Sequence, residues 1–245
     1  MKVVGLTGGI ACGKSTVGAM FKEEKGVVVI DLDQLARQVV EPHTKLFRRI
    51  VQHFGEEVVT EEGTLDRKKL AAIIFADRQQ RKWLDKATLP AILRKLLLLL
   101  FWCFVVRKSR SLPTTTKQKG EELVIVEAPL LFETGMQRWV NSVVVVAVPK
   151  ELQLQRLMSR DEAGQLDAQQ RIQSQMDIDL KVKRADFVVD NSSDFQHTKK
   201  QVHAILKQLR QRKTLVTRSN AALLILCLLL GGCYALVRVI AAMLF

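Results

Sequence analysis

The chain has 245 residues, 48% of them apolar and 26% charged, which suits one ordinary domain with attachments and excludes a disordered or collagen-like chain. Cys12, Cys103, Cys227 and Cys233 are too few and too scattered for a disulfide framework, and no CxxC pair suggests zinc, so reduced thiols in a cytosolic compartment are the simpler reading. The net charge of +13 is uneven: seven Lys or Arg and no acid lie between Lys199 and Arg218, and setting these and Arg238 aside leaves +5 for residues 1–198. That is modest for a nucleic-acid binder, and the excess stands beside a very apolar C-terminus, where a membrane surface or an anionic substrate would favour it.

The first residues, Met1 to Thr7, hold no apolar stretch of signal-peptide length and read as a short buried strand around Val3-Val4-Gly5-Leu6. The strand runs into Thr7-Gly8-Gly9-Ile10-Ala11-Cys12-Gly13-Lys14-Ser15-Thr16 and then a helical Val17-Gly18-Ala19-Met20-Phe21. Gly8, Gly13, Lys14 and Ser15 fill the pattern G-x-x-x-x-G-K-[ST] in the strand–loop–helix context it needs. Glycines let backbone N–H groups converge on phosphate oxygens, and the helix N-terminus adds a favourable dipole. Lys14 would reach the β- and γ-phosphates, and the Ser15 hydroxyl would ligate magnesium. Cys12 lies in this loop, where a helix N-terminus can lower a thiol pKa, although a small loop residue is the plainer reading.

Gly26 to Asp33 reads as a second buried strand ending in two carboxylates, Asp31 and Asp33, which alternation places on one side of an extended chain without choosing between them. A carboxylate at the carboxyl end of a parallel strand, opposite the phosphate loop, can orient an acceptor hydroxyl and take its proton; the competing role is a helix N-cap. A mostly helical stretch follows over 34–95, with no place in a minimal sheet, and would cap the acceptor. Leu123–Glu127 is a further strand, whose terminal carboxylate would serve a magnesium shell through water, and Ser142–Val148 is as apolar as a central parallel strand should be. On the helix Leu152–Arg160, Arg156 and Arg160 stand one turn apart and would clamp transferring phosphate charge, unless they form only an exposed basic face. Phe187–Asp190 is a short strand before a closing helix from about Asp194. Strands alternating with helices around a phosphate loop give an α/β chain with a parallel doubly wound sheet.

Ala221 to Val237 is a run of 17 residues, nearly all apolar, which as a helix spans roughly 25 Å at about 1.5 Å per residue. Arg238 would snorkel to the far interface while Lys207, Arg210, Arg212, Lys213 and Arg218 stay on the cytosolic side, so a C-terminal transmembrane helix is expected, against a core-buried helix as the alternative.

Taken together these residues resemble the dephospho-CoA kinase family. The resemblance is carried by Gly5–Ile10 with Gly13–Thr16, Ile30–Asp33 with Ala36–Pro42, Phe54-Gly55, Gly63–Arg67, Pro129–Glu133, Gln153-Leu154, Arg156, Arg160-Asp161, Arg171-Ile172, Gln175 and Asp190–Ser192. It implies the three-layer fold of P-loop kinases with a helical acceptor-binding cap at about 60–120 and a lid at about 156–184, within a kinase domain of residues 1–206. A basic linker, 207–218, and a membrane anchor, 219–245, would follow; an apolar tail resembles eukaryotic members rather than bacterial ones. The implied reaction moves the ATP γ-phosphoryl group to the ribose 3′-hydroxyl of dephospho-CoA, giving coenzyme A with ATP and Mg2+. Gly8, Gly9, Ile10, Ala11, Cys12, Gly13, Lys14, Ser15 and Thr16 then hold ATP together with Arg160, Asp33 is the base, Arg156 stabilises the transferring phosphate with Arg160 beside it, and Ser15, with Glu127 through water, serves the metal.

Ala11 stands where the family usually has Gly, Cys12 where Ser is commoner, Glu127 where Asp is usual, and Leu89-Pro90 where His-Pro is frequent. The interval from Pro90 to Pro129 is longer than the family leads one to expect, and Leu96–Val106 is eleven consecutive apolar residues, short of a span. A buried or interfacial helix, a second membrane contact and translated non-coding sequence are the readings open for 96–120. The expected partners are ATP, dephospho-CoA, an organelle membrane reached by the tail from the cytosolic side, and the adenylyltransferase of the preceding step, with no nucleic acid. A related nucleoside or nucleotide kinase, and a membrane-tethered nucleotide-binding protein impaired by its altered cap, are the competing functions.

Overall fold

The computed structural model describes residues 2–109, 123–162 and 164–212. The β-branched and apolar runs form five strands, β1 (Lys2–Gly8), β2 (Val27–Asp31), β3 (Leu123–Glu127), β4 (Ser142–Ala147) and β5 (Phe187–Asp190). They pair in the order β2-β3-β1-β4-β5, every pair parallel. All seven residues of β1 are buried, as a central strand covered on both faces must be, and β3 is buried along its length. The registers set Leu6 beside Glu127 and Thr7 beside Val145, so the carboxyl ends of β1, β3 and β4 open at the turn that follows Gly8.

The second strand departs from the sequence reading in two respects. It is an edge strand, with Val28 40% exposed, and it ends at Asp31. Leu32–Gln38 is helix α2, with Asp33 in its first turn, so Asp31 and Asp33 do not alternate along one extended chain. The segment Leu-Asp-Gln-Leu-Ala-Arg-Gln has no β-branched residue, and an acid in a first helical turn is favoured by the helix dipole.

The described residues divide into two compact units, one made of those up to Asp31 and from Leu123 onward, the other of those from Leu32 to Ser109. The first holds the sheet with α1 (Lys14–Lys22), α6 (Lys150–Asp161), α7 (Gln165–Gln173), α8 (Ile178–Lys183) and α9 (Phe195–Gln211). Val202, Ile205, Leu206 and Leu209, at helical spacing, bury one face of α9. The expected linker from 207 thus begins as the last turn of this helix.

The second unit is helical: α2, α3 (Lys45–Phe54), α4 (Arg67–Ala76) and α5 (Arg78–Ser109). Its core gathers Leu46, Ile50, Phe54, Val58, Leu70 and Ala87, and Trp83 stacks on His53 with ring centroids 3.7 Å apart. Thr44 and Asp66 cap α3 and α4, accepting from Phe47 N and from Lys68 N and Lys69 N. Leu96–Cys103, the first part of the apolar run, continues the 32-residue α5, which passes through Pro90 without a break. Among the described residues no helix is long and apolar enough to cross a membrane. The expected transmembrane helix at 219–245, the linker beyond 212 and the segment 110–120 lie outside the described residues.

Candidate active site

Strand β1 delivers the chain to the loop Gly9–Gly13, and the loop to α1, as the phosphate-loop pattern requires. Gly13 takes φ 82° at the N-cap, a left-handed conformation that glycine adopts without penalty, and a side chain there would collide with the Asn191 amide. Ala11 is also left-handed, at φ 59°, where a Cβ is strained.

Three amide side chains hold the loop from outside. Gln153 on α6 donates to Ile10 O at 2.9 Å, Ile10 N donates to Gln175 Oε1 at 3.0 Å, and Asn191, just after β5, donates to Cys12 O at 3.0 Å. The loop's other N–H groups are thereby presented in a fixed frame, the preorganisation that anion binding needs. Cys12 is fully buried, and burial pushes its thiol above the ordinary range against the opposing effects of the Gly9 and Val148 backbone, Lys181 and Arg156. It is therefore a neutral packing residue here, in line with the plainer sequence reading.

Lys14, the first residue of α1, donates to Glu127 Oε2 at 2.9 Å, with the two side chains 12% and 6% exposed. The Asp31↔Glu127 register sets a second carboxylate on the adjacent strand at the same level. Ser15 and Thr16 follow in the exposed first turn. Ser15 Oγ and these strand-end carboxylates are hard oxygen donors, which magnesium takes in ones and twos beside phosphate and water, so the residues present fit that ion. Asp33 lies on α2, in the helical unit.

The two arginines of α6 differ in their surroundings. Arg160 donates to both oxygens of Asp161, at 2.7 and 3.1 Å, and Asp161 also accepts from Arg171 at 3.0 Å. The hydrogen bonds to Asp161 raise the Arg160 pKa. Arg156 is half-buried, its guanidinium forms no ion pair among the described residues, and its charge is felt at Cys12. A cavity of about 580 Å3 flanks the loop, lined by Gly9, Gln153, Leu154, Gln175, Met176 and Asp177 among others.

Sequence reasoning missed Lys181. Its side chain is fully buried, and Nζ donates to Pro129 O at 3.0 Å and Gly8 O at 3.4 Å while pairing with Glu133 at 2.9 Å. It ties the end of β1 to the segment after β3. The available signal is its place on the face of Ile178, three residues earlier, the other buried residue of α8.

The sequence model of the family described as dephospho-CoA kinase matches residues 2–197. A dephospho-CoA kinase from Halalkalibacterium halodurans is 41% identical over 206 residues, covering 84% of this chain and 96% of its own. A dephospho-CoA kinase domain-containing protein from Danio rerio is 44% identical over 203 residues, 82% of each chain. The solved dephospho-CoA kinase from Campylobacter jejuni superposes with a TM-score of 0.60 at 28% identity, over 85% of this chain and 97% of that one.

Proposed function

Because the chain belongs to the dephospho-CoA kinase family, we propose that it transfers the γ-phosphoryl group of ATP to the ribose 3′-hydroxyl of dephospho-CoA, producing coenzyme A. The observation that carries this reading is the phosphate loop with Lys14 fixed 2.9 Å from Glu127, inside a family match that runs over residues 2–197. The backbone N–H groups of Ala11 and Gly13, left over once Ile10 N donates to Gln175 and Cys12 N to Gly9 O, join the N-terminus of α1 in cradling the phosphates, and Lys14 neutralises charge on the β- and γ-oxygens. Ser15, with Glu127 acting through water, would hold magnesium, which would supply charge neutralisation when bound. Asp33 orients the acceptor hydroxyl and takes its proton, and Arg156 stabilises the transferring group. Arg160, one turn further along α6 and paired with Asp161, adds its charge to the ATP site beside Arg156.

The helical unit supports the acceptor role. A groove of about 660 Å3 within it is lined by Lys45, Arg49, Lys86, Arg94 and Lys95 with no carboxylate, a suitable surface for an acceptor that carries a diphosphate. The apolar run Ala221–Val237 and its basic flank support tethering to an organelle membrane with the kinase domain facing the cytosol, where the adenylyltransferase product would be captured at its source.

The full chain, incubated with ATP, magnesium and dephospho-CoA, is expected to yield the 3′-phosphorylated product by mass spectrometry. Nucleotide binding without product would instead favour an impaired nucleotide-binding protein. Asp33→Ala is expected to abolish transfer and leave ATP affinity intact; full activity in that variant would remove Asp33 as the base.

A further inference from the structure

Glycine inside a helix costs about 1 kcal/mol relative to alanine. Gly18 stands in the middle of α1, buried, without the positive φ that would call for it. What it lacks is space. A Cβ at this position would overlap Oε1 of Glu127 and lie 2.6 Å from its Cδ and 3.2 Å from Oε2. Those three atoms are its nearest neighbours, so the obstacle is the end of one flexible side chain and not the backbone of β3. The same carboxylate accepts from Lys14 at 2.9 Å, one turn earlier on α1.

The geometry points to Gly18 as a positioning residue of the phosphate site: the room left by its missing side chain is filled by the Glu127 carboxylate as it holds Lys14. This rests on Lys14 and Glu127 serving phosphoryl transfer. An alanine at 18 would leave the helix in place and expel the carboxylate. Aspartate at 127, one methylene shorter, would draw the carboxylate back toward β3 and relieve the overlap.

Four full-length proteins test this: the natural chain, Gly18→Ala, Glu127→Asp and the double variant, each measured for turnover of dephospho-CoA and for calorimetric affinity toward magnesium–ATP. Gly18→Ala is expected to fold and to lose about tenfold in kcat or in nucleotide affinity. Glu127→Asp alone should lose only about two- to threefold, and the double variant should regain most of what Gly18→Ala lost, a coupling that helix propensity alone cannot produce. Full activity in Gly18→Ala, or additive losses in the double variant, would overturn the inference. If Gly18→Ala fails to fold, recovery of folding in the double variant supports the same pairing, and failure of both overturns it. A natural chain that binds ATP and transfers nothing to dephospho-CoA would defeat the functional reading, while the coupling would still be read from affinity.

Discussion

Lys181 shows how much a single side chain can organise. A fully buried ammonium is costly unless paired, and here a carboxylate and two carbonyls on separate segments satisfy it. Lys181→Met leaves those acceptors without their donor; Glu133 keeps some water contact, so we expect a loss of about 2 kcal/mol in stability, read by denaturant unfolding, with a raised KM for ATP because the end of β1 loosens. Burial alone would raise the Glu133 carboxyl, but hydrogen bonds from Lys181 and Met176 N–H outweigh it and hold the group below its ordinary 4.5. Since the folded-state value is depressed, the pair's stabilisation is complete above 4.5 and fades as pH falls below it through the folded value. Unfolding curves of Glu133→Gln should therefore lack part of the acid decline of the natural chain. A second residue carries strain instead of relieving it: Ala11→Gly removes a Cβ from a left-handed loop position and should stabilise by about 0.5–1 kcal/mol, read as a higher melting temperature.

At the scale of elements, the sequence is most legible where apolar β-branched runs are bounded by turn signals. Leu123–Glu127 and Phe187–Asp190 fall where the pattern puts them, and the phosphate loop joins β1 to α1 as its spacing demands. The end of the second strand is misleading because Asp31-Leu32-Asp33 continues an alternating pattern that a helix with an acidic first turn also satisfies. The helical reading over 34–95 already passes Pro90, as α5 does, and what it misses is that the helix carries on into the apolar run from Leu96. The loop-holding amides of Gln153, Gln175 and Asn191 are visible in the sequence only as family signatures; spacing gives no sign that residues far apart in sequence converge on Ile10 and Cys12. Long-range capping is equally invisible. Lys2, buried at the start of β1, donates to Leu209 O at 2.9 Å and Arg210 O at 3.0 Å, satisfying carbonyls in the last turn of α9. Lys2→Met should cost about 2 kcal/mol by chemical denaturation, with little change in the KM for ATP, because the charge acts on a helix end and not on the phosphate loop.

For the whole molecule, the distribution of charge sets a test of the membrane proposal. Seven of the cations lie between Lys199 and Arg218, directly before the 17-residue apolar run. A basic segment alone binds anionic lipid at about 1 kcal/mol per residue near the surface, and salt screens it within a Debye length of about 10 Å at 0.1 M. A spanning helix is held by its apolar area and is indifferent to salt. The two contributions therefore separate. The full chain, reconstituted with vesicles, should remain bound to neutral and anionic membranes alike at about 0.5 M salt, where exposed charges are largely screened. A chain ending at Arg218 should bind only anionic vesicles and leave them as salt rises. Release of the full chain by the same salt would reduce the tail to an adjunct of the basic segment, and the tether would have to be abandoned. Retention, together with unchanged turnover in the shortened chain, would mean that the apolar run governs where coenzyme A is made and leaves the phosphoryl transfer to residues held by the sheet.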